Sequence, residues 1–228
     1  MLKDYGITRK LGAVISDNHT ANDKLCRTIS DWLLQEEGIE WNPVHQRIRC
    51  QGHILNLAVQ AFLFENLISL DDIESYEEGK ELDPKEEKEK SDSFRKLGAL
   101  GKLHNITVHT RSSAGRMREF ESLAGRRIPL DNRTRWNSWY FMLSVAIQKE
   151  SALDTYTKRN LDTLEKDYLS PKDWEALRTI KSFLQIFHQA TLKCQGHEAT
   201  LENVLFTMDV IIKHLDKSQV SLSPLFIS

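Results

Sequence analysis

The chain has 228 residues, a net charge of −2 and 40% hydrophobic residues, including five tryptophans. This apolar content is sufficient for a folded core, so the composition excludes an intrinsically disordered chain. Three widely spaced cysteines and the absence of a signal-peptide pattern predict an intracellular protein without disulfides. The most apolar window, residues 54–64, is too short for a membrane span.

The first predicted element is a strand that ends at a carboxylate. Residues 11–15 are mostly apolar and include β-branched Val14 and Ile15, which is typical of a buried parallel strand. Asp17 follows, and α/β sheets bind ligands at the carboxyl ends of their strands. The alternative is that Asp17 or Asn18 only caps the next helix.

Next come a helix, a second strand and a second helix. The first helix is predicted to begin at Thr20 and to stop at Gly38. Its predicted buried face comprises Leu25, Ile29, Trp32 and Leu33. A strand over residues 47–50 leads into a helix that begins at the block Cys50-Gln51-Gly52-His53. The predicted order is therefore strand, helix, strand, helix.

Charge is distributed unevenly along the chain. Residues 71–92 have a net charge of −7, whereas residues 95–136 have a net charge of +7 and are rich in arginine. Arginine is suited to bidentate contacts with phosphate, so the basic segment predicts DNA binding. The alternative is a solvated helix face that pairs with the acidic stretch.

From residue 94 onward the pattern predicts only helices. The first of them is weakened by Gly98 and Gly101. The clearest helix start is Ser170-Pro171-Lys172-Asp173, with an N-cap, a proline and an acid in the first turn. The last helix begins at Thr200 and has a long apolar stripe, which requires partner helices.

Three motifs resemble those of the hAT superfamily of DNA transposases, in the same order and over nearly the whole chain. They are Asp17-Asn18 with Asn22, the C-x-x-H-x-L-N-L block at residues 50–57, and Thr134-Arg135-Trp136-Asn137-Ser138. The resemblance implies an α+β, mostly α fold. A partial ribonuclease-H-like α/β core would occupy residues 1–68, an acidic linker residues 69–93, and an all-α helical insertion domain residues 94–228. It also implies a nuclear location.

The resemblance further implies a metal-dependent site for DNA strand cleavage and transfer. In hAT transposases three carboxylates hold two metal ions, expected to be Mg²⁺ or Mn²⁺. Asp17 matches the second carboxylate and is the expected metal ligand. His53 is expected to contact DNA or the leaving oxygen near the metals, unless it is a hydrogen-bonded core histidine. The other two carboxylates are expected outside these 228 residues, so the chain alone is predicted to be inactive.

Zinc and oligomerisation are further questions that the motifs raise. The tetrapeptide Cys-Gln-Gly-His occurs at residues 50–53 and again at 194–197. Zinc is not expected, because nothing local brings the two copies together. The family's zinc finger and dimerisation segment are expected outside this chain, so a homo-oligomer is expected only for a longer protein.

The expected partner is DNA in the form of transposon ends, hairpins or flipped-base intermediates. The resemblance implies that Trp136 stacks on a flipped base and that Arg135 contacts the backbone. Arg126, Arg127 and Arg133 are predicted to contact phosphates as well. Among Trp136, Trp139 and Tyr140 one ring must face outward, and Trp136 is predicted to do so. The alternative is that Trp136 lies in the helical core.

The sequence thus predicts a fragment of a cut-and-paste DNA transposase. The alternative is a domesticated or decayed, non-catalytic module that binds DNA or another protein through the apolar helices of residues 171–218. A third interpretation is a zinc-stabilised adaptor.

Overall fold

The computed structural model describes residues 3–64, 84–131, 136–195 and 200–222. The chain forms two compact units, which divide after Leu57. This division lies within a helix and precedes the predicted domain boundary at residue 68.

The first unit contains a small parallel sheet and its helices. Its elements are β1 (Val14–Ser16), α1 (Thr20–Glu37), β2 (Arg47–Arg49) and the beginning of α2 (Gln51–Phe64), preceded by a 3-10 turn at Thr8–Lys10. β1 and β2 are parallel, with Ile15 opposite Ile48. The backbone bond from Cys50 N–H to the Ser16 carbonyl, 2.8 Å, continues the ladder into α2. The predicted order of strand, helix, strand, helix is confirmed.

Helix α1 begins and ends at residues whose side chains or conformations satisfy its free backbone groups. His19 is the N-cap, because its Nδ1 accepts a hydrogen bond of 3.1 Å from the backbone N–H of Ala21. At the other end Gly38 has a left-handed conformation with φ of 62°. The predicted start at Thr20 and stop at Gly38 are confirmed.

The core of the first unit differs from the predicted one at two positions. It consists of buried Cys26, Leu33 and Trp41, with Leu11, Val14, Ile29, Trp32 and Ile39 packed around them. Leu25 is 48% exposed, so its predicted burial is wrong, and Cys26 occupies the core side instead. Ile15 is 69% exposed, so β1 is buried on one face only.

The second unit is helical throughout its described residues. After α2 its helices are α3 (Pro84–Arg95), α4 (Ala99–Arg111), α5 (Ala114–Ala124), α6 (Asn137–Gln148), α7 (Glu150–Arg159), α8 (Leu161–Leu164), α9 (Pro171–Gln195) and α10 (Leu201–Leu222), with a 3-10 turn at Glu165–Asp167. Helix α9 packs against α6 and α10, and α5 packs against α7. Fully buried Trp139, Met142 and Leu143 of α6 lie in its core. The predicted fold class, α+β and mostly α, is confirmed.

Part of the predicted acidic linker is a helix. Helix α3 packs against α4 and buries Phe94, so the prediction of a linker is wrong for residues 84–93, whereas residues 69–83 lie outside the described residues. The two helices approach closely at Gly101, where an added Cβ would overlap the carbonyl oxygen of Phe94. Glycine at this position therefore serves packing and is not only a weak helix former.

The last two long helices begin where the sequence predicts. In α9 the Ser170 hydroxyl accepts from the Asp173 N–H at 3.2 Å, and the Asp173 carboxylate accepts from the Ser170 N–H at 2.8 Å. This reciprocal pair is a capping box. In α10 the Thr200 hydroxyl accepts from the Asn203 N–H at 3.3 Å. None of the helices in the described part is both long and apolar enough to span a membrane.

Candidate functional site

Asp17 lies at the carboxyl end of β1, in the turn that leads into α1. Its Oδ1 accepts hydrogen bonds from the His19 N–H, 3.0 Å, and from the Asn22 side chain, 2.6 Å. The bond from His19 is the main reason that the pKa of the Asp17 carboxyl lies below its usual value. Asp17 is exposed and supports the entry into α1, although the N-cap itself is His19.

His53 lies in the first turn of α2, at the same edge of the sheet as Asp17. It is close enough that its charge contributes to the lowered pKa of the Asp17 carboxyl. The structure therefore brings together the two residues that the resemblance assigns to the catalytic site. Their roles in catalysis stay a prediction.

Two arginines of β2 bind the turn that carries Asp17. Arg47 donates to the Asp17 carbonyl oxygen at 2.8 Å and forms an ion pair with Asp23. Arg49 donates to the Asn18 side chain at 2.8 Å. The edge of the sheet therefore combines an exposed carboxylate with two fixed cations, and Asp23 is already neutralised by Arg47.

This edge does not form a complete metal site from the described residues. Within residues 3–64, 84–131, 136–195 and 200–222, no group of three or more His, Cys, Asp or Glu side chains is placed to hold a metal ion. Two Mg²⁺ or Mn²⁺ ions need several carboxylate ligands, whereas Asp17 supplies one. The predicted absence of zinc stays a prediction, because His197 lies outside the described residues.

Trp136 lies in the core of the second unit, directly before α6. Its side chain is 2% exposed, and its ring meets those of Tyr140, Phe187 and His188 edge-on, with centroids 6.4 to 6.5 Å apart. The prediction that Trp136 faces outward is therefore wrong. The physical reason is that packing of α6 on α9 buries the indole among aromatic rings. The outward ring is that of Phe141, which is 48% exposed.

The predicted DNA-binding arginines fall into two groups. Arg126 and Arg127 are exposed and follow Gly125, which ends α5 with φ of 72°. Arg127 bonds to the Glu121 carboxylate at 2.6 Å. Arg133 and Arg135 lie outside the described residues.

Other cations of the basic segment are neutralised within the unit. Arg95 pairs with Asp92 at 2.5 Å and with Asp167, and Lys102 pairs with Asp173 at 3.0 Å. The net charge of +7 counted along the sequence therefore overstates the positive charge available to a ligand. Of these carboxylates only Asp92 belongs to the acidic stretch of residues 71–92, so pairing with that stretch, the alternative to DNA binding, is seen for Arg95 and not for Lys102.

A buried polar cluster, which sequence analysis missed, surrounds Asp167. Its carboxylate is 1% exposed and accepts bonds from Arg95 Nε, 2.8 Å, Arg95 Nη2, 2.6 Å, and Asn105 Nδ2, 2.8 Å. The bond to Asp167 raises the pKa of Arg95. These partners are far apart in sequence, so no local pattern could indicate the cluster.

Comparison with known proteins gives matches over the first and second units. A family model described as the ZBED1 RNase-like helical domain matches residues 48–183. A protein of Talaromyces stipitatus, named provisionally as the transcriptional regulator tpeD, is 26% identical over 228 residues. That alignment covers 98% of this chain but only 26% of the relative, so the chain spans about a quarter of its length. No solved structure matches the chain.

The matched residues run from β2 through most of α9 and make up more than half of the chain. The match agrees with the hAT-like, transposase-derived character that the motifs indicate. The chain belongs to the family of the ZBED1 RNase-like helical domain.

Proposed function

We propose that this chain is part of a hAT-type transposase or of a protein derived from one, and that its own contribution is contact with the DNA backbone. The observation that supports this proposal is a set of exposed arginines at α5 and the residues that follow it, Arg118, Arg126 and Arg127. In the part of the chain that the structure describes, Arg118 and Arg126 form no ion pair with a carboxylate. Such arginines are available to bind phosphates.

Phosphate contacts of this kind position a protein on DNA without reading its sequence. The binding that we propose should therefore weaken steeply with salt, because neutralised phosphates release their counterions. The provisional name of the Talaromyces relative, a transcriptional regulator, is compatible with DNA contact in the nucleus.

Fluorescence anisotropy with a labelled DNA duplex tests the proposal. Arg118→Ala and Arg126→Ala should each weaken binding and reduce the salt slope by about one. Lys213→Ala is the matched control, because Lys213 is an exposed lysine of α10 that pairs with Asp209 at 2.7 Å. If the arginine variants bind as tightly as Lys213→Ala does, the proposed DNA surface is wrong.

We also propose that Asp17 is one metal ligand of a complete site in a longer protein, with His53 beside it. Carboxylate oxygen is the ligand that Mg²⁺ and Mn²⁺ prefer. Because a single carboxylate cannot hold two ions, the isolated chain should not nick supercoiled plasmid with either metal. Asp17→Asn separates the two roles of this residue, since an amide oxygen still accepts the bonds from His19 and Asn22 but carries no charge. Metal-dependent nicking that this variant abolishes would contradict our expectation for the isolated chain.

A second candidate function, protein interaction, is favoured by the apolar surface of α10. Leu205, Phe206 and Ile212 are 69%, 60% and 52% exposed. Exposed apolar side chains on one helix are common where proteins associate. Sedimentation of the wild-type chain and of Leu205→Asp tests this function, because a complex formed through α10 should be lost in the variant. If the sedimentation coefficients of the two proteins are equal over the accessible concentrations, α10 does not mediate self-association.

A further inference from the structure

The second unit contains a polar cavity of about 260 Å³ beside the Asp167 cluster. It is lined by residues of α3, α4, α5 and the segment before α9, among them Lys88, Arg95, Asn105, His109, Arg116 and Thr163. None of these residues belongs to the proposed DNA surface at Arg118, Arg126 and Arg127. The cavity therefore stands apart from the DNA-contact proposal.

The carboxylate in the cavity wall is already neutralised. Asp167 accepts three hydrogen bonds, two of them from the guanidinium of Arg95 and one from Asn105. A carboxylate held in this way has little remaining attraction for a cation. The charge that a ligand meets in the cavity is consequently set by the other lining residues.

Those residues leave the cavity positively charged. The Arg116 Nη1 donates to a neutral group, the Ser112 hydroxyl, at 2.7 Å. Within the described residues neither Arg116 nor Lys88 forms an ion pair with a carboxylate. Among the described residues that line the cavity, Arg116 and Lys88 are thus cations without a carboxylate partner, and the carboxylate of Asp167 is compensated by Arg95.

The neutral side chains add groups that can hydrogen-bond to an oxyanion. His109 Nδ1 lies 2.9 Å from the Tyr156 hydroxyl, and its Nε2 lies 3.1 Å from the Thr163 hydroxyl. Burial, and next the charge of Arg116, lower the pKa of His109 to about 4, so His109 is neutral near pH 7. The carboxylates of Asp162 and Asp167 are also close enough to act on His109, and they raise its pKa by less than burial and Arg116 lower it.

We infer that this cavity binds a phosphate group, with Arg116 and Lys88 as its charged contacts. Arginine matches phosphate through two parallel hydrogen bonds, and lysine adds a point charge. The volume lies just below the range of roughly 300–1,000 Å³ for sites of drug-sized ligands, which suits a phosphate with a small attached group. The phosphate could belong to a free small molecule or to the DNA backbone, and the experiment below distinguishes these sources.

The test uses the whole chain and two probes, inorganic phosphate by isothermal titration calorimetry and a labelled DNA duplex by fluorescence anisotropy. Arg116→Ala and Lys88→Ala should each weaken binding of the probe that occupies the cavity, inorganic phosphate or the duplex, by about tenfold or more. The reason is that each variant removes a charged hydrogen bond. Arg159→Ala is the matched control for both probes, since Arg159 is an exposed arginine of α7 that belongs neither to the cavity lining nor to the proposed DNA surface. Circular dichroism checks folding, and Lys88→Ala keeps the test valid if Arg116→Ala unfolds, because Lys88 is exposed.

Each outcome supports or overturns the inference. Saturable binding of inorganic phosphate that Arg116→Ala and Lys88→Ala reduce, with unchanged DNA affinity, assigns the cavity to a free phosphate compound. Reduced DNA affinity in these variants, without saturable binding of inorganic phosphate, assigns it to the DNA backbone. If neither probe responds, or if Arg159→Ala reduces phosphate binding equally, the inference is wrong. If Arg126→Ala loses DNA binding while Arg116→Ala and Lys88→Ala keep it, the result supports the proposed DNA surface and excludes the DNA backbone as the ligand of the cavity.

Discussion

Trp136 offers the sharpest test of how the R-W-N-S motif works, because a core role and a DNA-stacking role predict different measurements. The indole is 2% exposed and contacts three rings of α6 and α9 edge-on. Replacing a buried tryptophan by alanine typically costs about 3–5 kcal/mol, from lost burial and the cavity left behind. The aromatic pairs add about 0.5–1.5 kcal/mol beyond burial. Since small domains are stable by only about 5–15 kcal/mol, Trp136→Ala should remove a large share of that stability.

Urea denaturation followed by circular dichroism measures this loss. Phe141→Ala is the matched control, because Phe141 is an aromatic residue of the same helix that is 48% exposed, and its loss should be clearly smaller. A base-stacking residue would instead change stability little and cost about 1–3 kcal/mol of affinity for DNA with an unstacked base. Our reasoning is refuted if the free energy of unfolding of Trp136→Ala lies within about 0.5 kcal/mol of the wild-type value and the variant binds such DNA more weakly.

Three further predictions test the interior of the second unit. The pKa of His109 is lowered from 6.5 to about 4, so the unfolded chain takes up a proton that the folded chain does not. Stability should fall by about 3 kcal/mol as the pH drops from 6.5 to 4, and His109→Gln should flatten this dependence of the urea midpoint. Gly101→Ala should strongly lower the melting temperature, because the added Cβ would overlap the Phe94 carbonyl. Gly115→Ala is the control and should leave the melting temperature unchanged or raise it, because the nearest atom to its Cβ is 3.9 Å away. Ser170→Ala should cost about 1 kcal/mol by calorimetry through loss of the capping box.

The features that the sequence predicts correctly are those with local causes. The starts of α9 at Pro171 and α10 at Leu201 follow from the Ser170 and Thr200 hydroxyls, which bond within one turn. The end of α1 follows from the left-handed conformation at Gly38. The resemblance assigns Asp17 and His53 to one site, and the parallel β1–β2 pair brings the ends of their strands to one edge, although their catalytic roles stay a prediction.

The features that the sequence misses depend on distant partners. Residues 84–93 read as a linker because their composition is charged, yet Phe94 at the end of α3 is buried against α4. The spacing of Trp136, Trp139 and Tyr140 could not decide which ring faces outward, because only the packing of α9 on α6 settles it. The pair between Arg95 and Asp167 joins residues that no local pattern connects.

The Arg95–Asp167 pair links the packing of the second unit to its cavity. Taking a carboxylate out of water costs several kcal/mol, and this cost concerns mainly Asp167, which is 1% exposed, because the Arg95 side chain is 22% exposed. Its two parallel hydrogen bonds hold α3 and the 3-10 turn at Glu165–Asp167 in a single arrangement, and Asn105 ties α4 to the same carboxylate. These side chains also form the polar wall of the cavity. A ligand in the cavity would therefore bind only the folded state, in which α3 packs on α4. The free energy of unfolding would then increase with the concentration of the ligand and with its affinity.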